Sequence, residues 1–545
     1  MHQSLVFSLL PFVLSGAAFA APSPTSFDTE CAKLANSLAL PDYPGFKVNF
    51  AKFVSGGTEL NLTADGVDAS CLQYPRGPIP VDLCRVSLMV PTSSKGSRIF
   101  MEAWLPKDWN GRFLAVGNGN TNGCVQYADL SFGTQNKFAT IGTDNGHNGT
   151  SAASFYNAPD VLEDFVYRAL YTGTVVGKDV VKQFYKESHR KSYYTGCSAG
   201  GRLGWKAVQD FPEQFDGVVT GAPVINWNGQ GSLQARAFKL LARDDPTAPT
   251  YITSEQFALL HEEVLRQCDH LDGATDGIVD DTLACRLDYK PILCSNNSTS
   301  PGCLSSVQAD AIRKLYAPWI VNGTMLHPGV IYNGAEQDLQ FVVYAPGAEV
   351  AIEEWFQYVI SGNLNWTWHQ FTDADALASY EANVFNIQTW EGDLSAFRDR
   401  GSKVLHWHGQ ADPAITVSVS DQYYEHVGKT MNATSEELDE FYRYFRAGGV
   451  SHCGGGPGPF FLGFTYGLDA SADPEDNMLS RIVAWVEDGQ APETIRGTKF
   501  VNDDPTQGVA YRRKQCKHPK VNHYFGTGNG TDEEGWRCVE REASA

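Results

Sequence analysis

The stretch at residues 193–201 constrains the fold of this chain more than any other part of the sequence. It contains the pattern Gly-x-Ser-x-Gly around Ser198, after β-prone residues and before a helix-compatible segment at residues 202–210. A strand that turns sharply into a helix at a serine forms a nucleophile elbow, which exposes the hydroxyl at the top of a sheet. Glycines flank the serine because a Cβ atom would clash where the turn crowds the backbone. The pattern alone is weak in a glycine-rich chain, so other residues must support it.

The segments around the elbow indicate an α/β fold. A strand, the elbow, a helix and a second strand form a βαβ unit, which implies parallel strands and a right-handed crossover. The predicted fold is an α/β-hydrolase core with a large inserted lid domain. The candidate strands are residues 98–105, 112–116, 137–143 and 215–223, and helical spacing covers residues 161–185.

A change of sequence texture predicts the domain boundaries. Cysteines, glycosylation sequons and an aromatic helical pattern cluster between residues 226 and 397. We therefore predict an inserted lid domain at 226–397 and a catalytic domain made of residues 21–225 and 398–545. Within the latter, residues 21–90 are interpreted as a loop-rich, disulfide-stapled wrap. A final helix is expected near residues 479–489, followed by a stapled tail.

The N-terminus has the features of a signal peptide at residues 1–20. An apolar run too short to span a bilayer ends in the small residues Ala18-Phe19-Ala20, which suit signal peptidase. Twelve cysteines, an even number, fit an oxidising compartment and up to six disulfides. We therefore predict a secreted, extracellular glycoprotein that begins near Ala21. The Asn-x-Ser/Thr sequons are at Asn61, Asn148, Asn296, Asn297, Asn322, Asn365, Asn432 and Asn529.

The net charge argues against two classes of partner. The formal charge is −21 and the isoelectric point is about 5.0. Nucleic acids and anionic membranes would repel such a chain. We therefore expect neither as a partner. The oligomeric state is left open.

Two further residues can complete a catalytic triad with Ser198. A serine becomes nucleophilic when a histidine takes its proton and an acid fixes the histidine tautomer. After such an elbow, the acid precedes the histidine in the chain. A strand candidate at residues 403–408 leads into Asp412, and His452 follows in a glycine-rich loop. Asp412 before a proline also suits an ordinary turn, and His452 also suits an exposed loop, but order and topology together favour the triad.

Two cysteines stand beside these candidates. Cys197 precedes Ser198 and Cys453 follows His452. If the serine and the histidine are in contact, their chain neighbours lie within disulfide reach. A bridge would then join the nucleophile loop to the base loop. The alternative is that both cysteines pair elsewhere.

The chain resembles the tannase and feruloyl esterase family, whose signature is Cys-Ser, a downstream Asp, and His-Cys. The resemblance implies a triad of Ser198, Asp412 and His452 joined by a Cys197–Cys453 disulfide. It also implies that the oxyanion is bound by the backbone N–H of Ala199 and by one in the Gly119-Asn120 turn, where related sequences often have paired glycines. The motifs that carry the resemblance are residues 81–86, 102–106, 117–119, 173–178 and 437–443.

The resemblance also implies a structural calcium ion in the lid. Residues 268–278 interleave three carboxylates with glycines, and carboxylate oxygens are ligands that calcium prefers. The spacing is not that of an EF-hand, so without the resemblance the loop would be an acidic turn. The implied ligands are the side chains of Asp269, Asp272 and Asp276 and the backbone carbonyls of Ala274 and Ile278. The expected further disulfides are Cys31–Cys84, Cys71–Cys124, Cys268–Cys285, Cys294–Cys303 and Cys516–Cys538.

The expected activity is that of a secreted serine esterase. The resemblance implies hydrolysis of hydroxycinnamoyl esters (feruloyl, p-coumaroyl or caffeoyl) of plant cell-wall polysaccharides through an acyl-enzyme. The nearest alternative is a tannase that cleaves galloyl esters. A remote alternative is a non-catalytic glycan-binding protein on an inactive hydrolase fold. Because His452 must be neutral to act as a base, activity is expected to rise through about pH 6 to 7.

Overall fold

The computed structural model describes residues 26–73, 77–295, 302–464 and 474–541. The predicted signal peptide and the sequons at Asn296 and Asn297 lie outside the described residues. The strands, in chain order, are β1 (Lys47–Val54), β2 (Leu83–Pro91), β3 (Arg98–Pro106), β4 (Arg112–Val116), β5 (Ala139–Thr143), β6 (Lys191–Cys197), β7 (Gly217–Gly221), β8 (Trp319–Val321), β9 (Thr324–His327), β10 (Lys403–Gly409), β11 (Tyr442–Ala447), β12 (Thr494–Phe500), β13 (Val509–Cys516), β14 (Val521–Tyr524) and β15 (Trp536–Val539).

Helices cover the sheet and build the inserted region. Among the helices described, none is both long and apolar enough to cross a membrane. The α-helices are α1 (Phe27–Ser37), α2 (Tyr127–Gln135), α3 (Pro159–Glu163), α4 (Ala169–Tyr185), α5 (Ala199–Asp210), α6 (Trp227–Leu240), α7 (Ser254–Cys268), α8 (Ser306–Tyr316), α9 (Leu339–Tyr344), α10 (Val350–Trp355), α11 (Asp373–Ala382), α12 (Ser395–Asp399), α13 (Ser418–Met431), α14 (Ser435–Leu438) and α15 (Met478–Asp488).

A nine-stranded sheet forms the centre of the catalytic region, in the order β1-β2-β3-β5-β4-β6-β7-β10-β11. The first four strands of this order pair antiparallel, and from β5 onward neighbouring strands are parallel. The parallel strands are buried on both faces, and the polar residues among them, such as His406 and Arg446, are buried as well. This mixed sheet with flanking helices confirms the predicted α/β class. It also brings the carboxyl ends of β6, β10 and β11 to one edge.

The inserted region is built around a hydrophobic core that it shares with a segment before α4. Its helices pack around buried aromatic residues that include Phe238, Trp319, Trp355 and Phe371. Capping boxes begin α7 and α8, as their Thr-x-x-Gln and Ser-x-x-Gln sequences favour. The same core includes buried residues from the segment 152–166, which precedes α4. The lid core is therefore packed against the segment that leads into the sheet helices.

Two sequence-based interpretations need correction. The N-terminal wrap contains α1 and two strands, and β1 and β2 extend the central sheet by antiparallel pairing. The C-terminal tail is also not only a stapled coil, because β12 pairs with β13 and β14 with β15. A register shift between Val48 and Phe50 interrupts the two-residue period of β1, which hides that strand in the sequence.

Candidate active site

Ser198 occupies a strained turn between β6 and α5. Its backbone has φ 62° and ψ −123°, in a region that L-residues rarely adopt. Two hydrogen bonds fix the turn: the Ser198 N–H donates to the Gly221 carbonyl at 3.0 Å, and the Arg202 N–H donates to the Ser198 carbonyl at 3.0 Å. The turn therefore has the conformation of a nucleophile elbow.

The glycines of the elbow allow close backbone contacts. A Cβ atom on Gly200 would lie 2.9 Å from the Asn118 carbonyl oxygen, and one on Gly201 would lie 2.5 Å from the Gly221 carbonyl oxygen. Real Cβ atoms do not approach backbone oxygens this closely, so larger residues would displace the turn. Glycine at these positions lets α5 start directly against the loop that follows β4.

Asp412 lies just beyond the carboxyl end of β10 and is completely buried. Its Oδ1 accepts hydrogen bonds from the N–H groups of Ala414 (2.8 Å) and Ile415 (2.9 Å). Its Oδ2 lies 2.7 Å from His452 Nδ1. Burial acts to raise the pKa of Asp412, but the neighbouring rings of His452 and His408 outweigh it and hold that pKa well below its ordinary value. The carboxylate is therefore ionised.

His452 lies in the glycine-rich loop after β11, with its side chain 28% exposed. Burial acts to lower the pKa of His452, but the Asp412 carboxylate and its hydrogen bond outweigh this and raise it. Because Nδ1 faces the carboxylate, Nε2 is the nitrogen left for a second partner. His452 and Ser198 line the same pocket.

A disulfide links the two loops. Cys197 and Cys453 are bonded, with their Cα atoms 5.9 Å apart, and they are 256 positions apart in the chain. Cys453 has a positive φ of 60°, so the bridge meets the histidine loop at a sharp bend. The structure thus places Ser198 and His452 on neighbouring backbones. The five other disulfides are the pairings expected from the resemblance.

Two elements that line the pocket with Ser198 carry the candidate oxyanion donors, namely α5 and the loop after β4. Ala199 is the first residue of α5, where backbone N–H groups lack intrahelical partners. Gly119 and Asn120 line the pocket beside it, and Asn120 has a positive φ of 48°. The N-terminal end of a helix also carries partial positive charge. The assignment of these N–H groups to a developing oxyanion stays a prediction.

Two buried side chains that sequence reasoning did not identify hold the loop after β4. Asn118 Nδ2 donates to the carbonyl oxygens of Cys124 and Thr143, at 2.8 Å each. His147 Nε2 lies 2.9 Å from the Thr121 carbonyl oxygen. Burial lowers the pKa of His147 to about 4, so the ring is neutral and donates this bond. An asparagine in a glycine-rich loop was the only sequence signal.

The pocket beside Ser198 has a volume of about 460 Å³. On the lid side, Trp227, Gln230, Gly231 and Gln234 lie at helical spacing on one face of α6. Trp355 of α10 also lines the pocket and packs edge to face against Trp227, with the ring centroids 5.4 Å apart. Among the described residues that line this pocket, His452 is the only titratable side chain. The site therefore suits a neutral, partly apolar group such as a phenolic ring.

The acidic loop of the lid concentrates buried carboxylates. Asp269 and Asp272 are buried, and their carboxylates accept hydrogen bonds from backbone N–H groups of their own loop. Burial, and then the neighbouring Asp280, raise the pKa of Asp272 to about 8. Arg513 from β13 pairs with Asp276 and, at 2.8 Å, with Asp280.

The donor set of this loop fits calcium in its chemistry. Arg513 pairs with two of the four carboxylates, and carboxylate and carbonyl oxygens are the ligands that calcium takes. Within the described residues, no three Asp, Glu, His or Cys side chains converge on one metal-sized position. The set of three side chains and two backbone carbonyls expected from the sequence therefore stays a prediction. Arg513 was not anticipated, because it lies far away in the chain.

Comparison with known proteins identifies close similarity. The family model described as "Tannase and feruloyl esterase" matches residues 84–539. The chain is 43% identical over 540 residues to a probable feruloyl esterase B of Emericella nidulans, which covers 98% of this chain and 100% of the relative.

Solved structures give the same result. The crystal structure of feruloyl esterase B from Aspergillus oryzae matches with a TM-score of 0.88 and 41% identity, and covers 94% of this chain and 100% of that one. A tannin acyl hydrolase from Aspergillus niger matches with a TM-score of 0.70 and 22% identity, over 94% and 95% of the two chains. The second similarity shows the fold alone.

Proposed function

The chain belongs to the tannase and feruloyl esterase family and is a carboxylic ester hydrolase of the serine type, and we propose that it hydrolyses hydroxycinnamoyl esters. The observation that carries this proposal is the pair formed by Asp412 and His452, 2.7 Å apart, on the pocket that Ser198 lines. Feruloyl, p-coumaroyl and caffeoyl esters are the proposed substrates.

In the first half of the reaction, His452 acts as the general base. Nε2 takes the proton of Ser198 as the hydroxyl oxygen attacks the ester carbonyl carbon. Asp412 keeps the hydrogen on Nδ1 and stabilises the imidazolium that forms. The negative oxygen of the tetrahedral intermediate is bound by the N–H of Ala199 and an N–H of the Gly119-Asn120 turn.

In the second half, the imidazolium of His452 donates its proton to the leaving alcohol oxygen as the carbon–oxygen bond breaks. The acyl group remains on Ser198 as an ester. Water then loses a proton to His452 Nε2 and attacks the acyl carbon, and collapse of the second intermediate returns the proton to Ser198. The products are a free phenolic acid and the alcohol.

A glutamine of α6 offers the pocket beside Ser198 a hydrogen-bond acceptor. Both amide atoms of Gln230 are engaged, because Nε2 donates to Ala414 O at 2.6 Å and Oε1 lies 3.2 Å from His327 Nε2. Gln234 Nε2 donates to Val342 O at 3.3 Å, which leaves its Oε1 as an acceptor. That acceptor suits a phenolic hydroxyl, and the similarity to feruloyl esterases supports a hydroxycinnamoyl ester over the galloyl alternative.

A panel of methyl esters tests this preference. Methyl ferulate, methyl p-coumarate and methyl caffeate are expected to be hydrolysed with higher kcat/KM than methyl gallate. Ser198→Ala should lower kcat by about 10⁴-fold to 10⁶-fold. A higher kcat/KM for methyl gallate would replace the proposal with the tannase alternative. Full activity in Ser198→Ala would contradict the mechanism.

We further propose that the enzyme is secreted, glycosylated and active on plant cell-wall polysaccharide. The apolar N-terminal run, the sequons and the disulfides support an extracellular glycoprotein. The net charge of −21 suits a freely diffusing enzyme rather than one that binds anionic surfaces. Ferulate release from arabinoxylan by culture supernatant, and a mass decrease after endoglycosidase treatment, are the expected results.

We propose in addition that the acidic loop binds one calcium ion. The side chains of Asp269, Asp272 and Asp276 and the backbone carbonyls of Ala274 and Ile278 would hold it. Calcium would neutralise part of the buried negative charge and would stabilise the loop. Elemental analysis of the purified protein should find about one calcium ion per chain.

A further inference from the structure

His408 contacts the turn that carries the proposed triad acid. Its Nε2 lies 2.8 Å from the carbonyl oxygen of Ile415 and 3.4 Å from Asp412 Oδ2. The N–H of Ile415 in turn donates to Asp412 Oδ1. His408 and Asp412 are both fully buried. One ring nitrogen therefore faces both the carboxylate and the turn that supplies the hydrogen bonds of that carboxylate.

Further hydrogen bonds run inward from His408. Its Nδ1 lies 2.7 Å from the hydroxyl oxygen of Ser420, on α13. The same hydroxyl oxygen lies 2.9 Å from His406 Nε2. His406 Nδ1 lies 2.9 Å from the hydroxyl oxygen of Tyr442. These side chains are fully buried, so water does not compete for the hydrogen bonds.

The chemistry of each partner determines which atom donates in each hydrogen bond of this series. In a neutral imidazole one nitrogen donates and the other accepts. Nε2 of His408 faces a carbonyl and a carboxylate, which only accept, so Nε2 carries the hydrogen and Nδ1 accepts from Ser420. Ser420 has then used its single hydrogen, so its oxygen accepts from His406 Nε2. The remaining nitrogen of His406 accepts from the Tyr442 hydroxyl.

We propose that His408 is a positioning residue for Asp412, and that Ser420 and His406 fix the tautomer in which its Nε2 donates. The N–H of His408 restrains Ile415, and through that turn it restrains both oxygens of the acid. A misplaced acid would orient His452 poorly in the transition state, whereas α6 and α10, which line the pocket together with Ile415, are not part of the released turn. The effect is therefore expected on kcat rather than on KM.

The inference rests on the proposed triad roles of Asp412 and His452, and the experiment separates the two. Hydrolysis of p-nitrophenyl butyrate and the rate of Ser198 labelling by a fluorophosphonate are measured for His408→Leu, His408→Gln and Ser420→Ala. Asp412→Asn is measured beside them. Circular dichroism and thermal unfolding show which variants are folded.

His408→Leu is expected to lower kcat about tenfold with KM unchanged, since it removes the donor. Ser420→Ala is expected to lower kcat about threefold, since it releases the tautomer but keeps the ring. His408→Gln is expected to recover most of the activity, because its amide N–H can take the place of Nε2–H. The labelling rates should change by the same factors.

His426→Gln is the matched control. This histidine is on the same helix as Ser420 and lies 3.0 Å from the carbonyl oxygen of Trp390, away from the acid. Its kcat is expected to stay within twofold of the parent enzyme. If Asp412→Asn lowers activity while folded Ser420→Ala and His408→Gln variants keep the parent kcat and His408→Leu loses only stability, the inference is wrong. If Asp412→Asn is fully active, the proposed triad itself is wrong.

Discussion

Two opposing effects act on His452, and their balance sets the pH range of the enzyme. Burial disfavours the imidazolium, whereas the ionised Asp412, 2.7 Å from Nδ1, favours it. The carboxylate outweighs burial, so the pKa of His452 lies above its ordinary value of 6.5. The same pairing holds the pKa of Asp412 down. The acid therefore remains ionised wherever the histidine titrates.

The first prediction concerns the pH dependence of kcat/KM. Since only neutral His452 can accept the serine proton, activity is lost as pH falls through a raised pKa. The acidic limb of kcat/KM for methyl ferulate should have its midpoint above pH 6.5, with a tenfold fall per pH unit below it. Such a midpoint lies in the upper half of the range of about pH 6 to 7 expected from the sequence, or above that range. A midpoint below 6.5 would mean that burial outweighs the carboxylate.

The second prediction concerns Gly231, on the pocket face of α6. A Cβ atom there would meet Ile352 Cδ1 at 3.8 Å, an ordinary contact, so Gly231→Ala should fold. The added methyl group narrows the acyl pocket. The ratio of kcat/KM for methyl ferulate to that for methyl p-coumarate should fall about threefold to tenfold, because only ferulate has a methoxy group.

A stability measurement provides the control for Gly231→Ala. Alanine in a helix interior is favoured over glycine by about 0.5–1 kcal/mol, so the free energy of unfolding should rise slightly. A variant that is less stable and equally slow on both esters would show general damage. An unchanged ester ratio in a folded variant would show that the methoxy group lies elsewhere.

The sequence identified residues with distinctive local patterns and missed those without them. Ser198, Asp412 and His452 were found through an elbow motif, a strand end and a chain order, and the structure brings Asp412 and His452 into contact. His147 and Gln234 have no such pattern, because their positions depend on contacts between distant segments. His408 was interpreted as structural, and its contact with the acid follows only from the geometry.

At the scale of elements, the Cys197–Cys453 disulfide joins two loops that the sheet already brings to one edge. The bonded pair spans 256 positions, and the loop-entropy model allows at most about 5 kcal/mol for so long a loop. The other disulfides already restrict the unfolded chain, and the parallel strands already hold the two loops together in the folded chain. The stabilisation from this bridge should therefore be smaller than that limit. The larger effect should therefore be on the geometry of Ser198 and His452.

The third prediction follows for the double variant Cys197→Ala/Cys453→Ala. Its kcat should fall about tenfold or more, while the variant remains folded with a lower Tm. Kinetics and calorimetry on the same sample check this. As a matched comparison, Cys294→Ala/Cys303→Ala removes a local lid disulfide with a separation of nine and should keep the parent kcat. Equal kcat values in both variants would make the Cys197–Cys453 bridge a structural staple only.

The acidic loop of the lid packs against the loops that carry the triad candidates. Gln410, two residues before Asp412 in the chain, donates from Nε2 to the Asp280 carbonyl oxygen at 2.7 Å. Thr282 donates to Gln410 Oε1 at 2.8 Å. On the other side, a Cβ atom on Gly448 would lie 1.8 Å from Asp280 Oδ1. The loop therefore touches the segment that leads into Asp412 and the segment that leads into His452.

The fourth prediction uses this close contact. Gly448→Ala should displace Asp280, whose carboxylate is fixed by Arg513, and should lower both Tm and kcat. The cost is expected to be about 1–3 kcal/mol, as for other overpacked sites. Gly428→Ala, on α13, is the control, because its nearest neighbour would be 3.4 Å away. If Gly448→Ala has the Tm and kcat of the control, the contact is not rigid.

Which elements the sequence could predict depends on their regularity. β4, β6, β7, β10 and α5 were recognisable because short β-prone runs and turn glycines mark them, whereas β11 was missed because two arginines interrupt its sequence. β1 was missed, since its exposed edge and its register shift remove the alternation that identifies a strand. The C-terminal hairpins were missed because β13 is mostly polar and packs through Arg513.

At the scale of the whole molecule, the lid and the sheet domain meet at the pocket and again at the acidic loop. At the first contact, residues of α6 and α10 line the pocket beside Ser198. At the second, the acidic loop contacts the segments that lead into Asp412 and His452. Composition and cysteine pattern indicated an inserted region but not these contacts. A calcium ion in the acidic loop would therefore act on the second meeting place as well as on the lid.

The fifth prediction is that calcium removal lowers both stability and turnover. Without the cation, the oxygens of Asp269, Asp272 and Asp276 lose a shared partner, and the loop that touches Gln410 should loosen. Dialysis against a chelator should lower Tm by several degrees and kcat severalfold, with KM little changed. Calcium, but not magnesium, should restore both, since magnesium demands a smaller octahedral site.

Asp269→Asn separates this effect from nonspecific damage by the chelator. The variant keeps the shape of the side chain and removes a proposed ligand charge, so it should start with the low Tm and respond weakly to added calcium. Ser418→Ala, on a lid-facing helix away from the loop, should respond like the parent. If the parent retains its Tm and kcat after chelation and elemental analysis finds no calcium, Arg513 alone balances the negative charge of the loop. The family resemblance would then not extend to the metal.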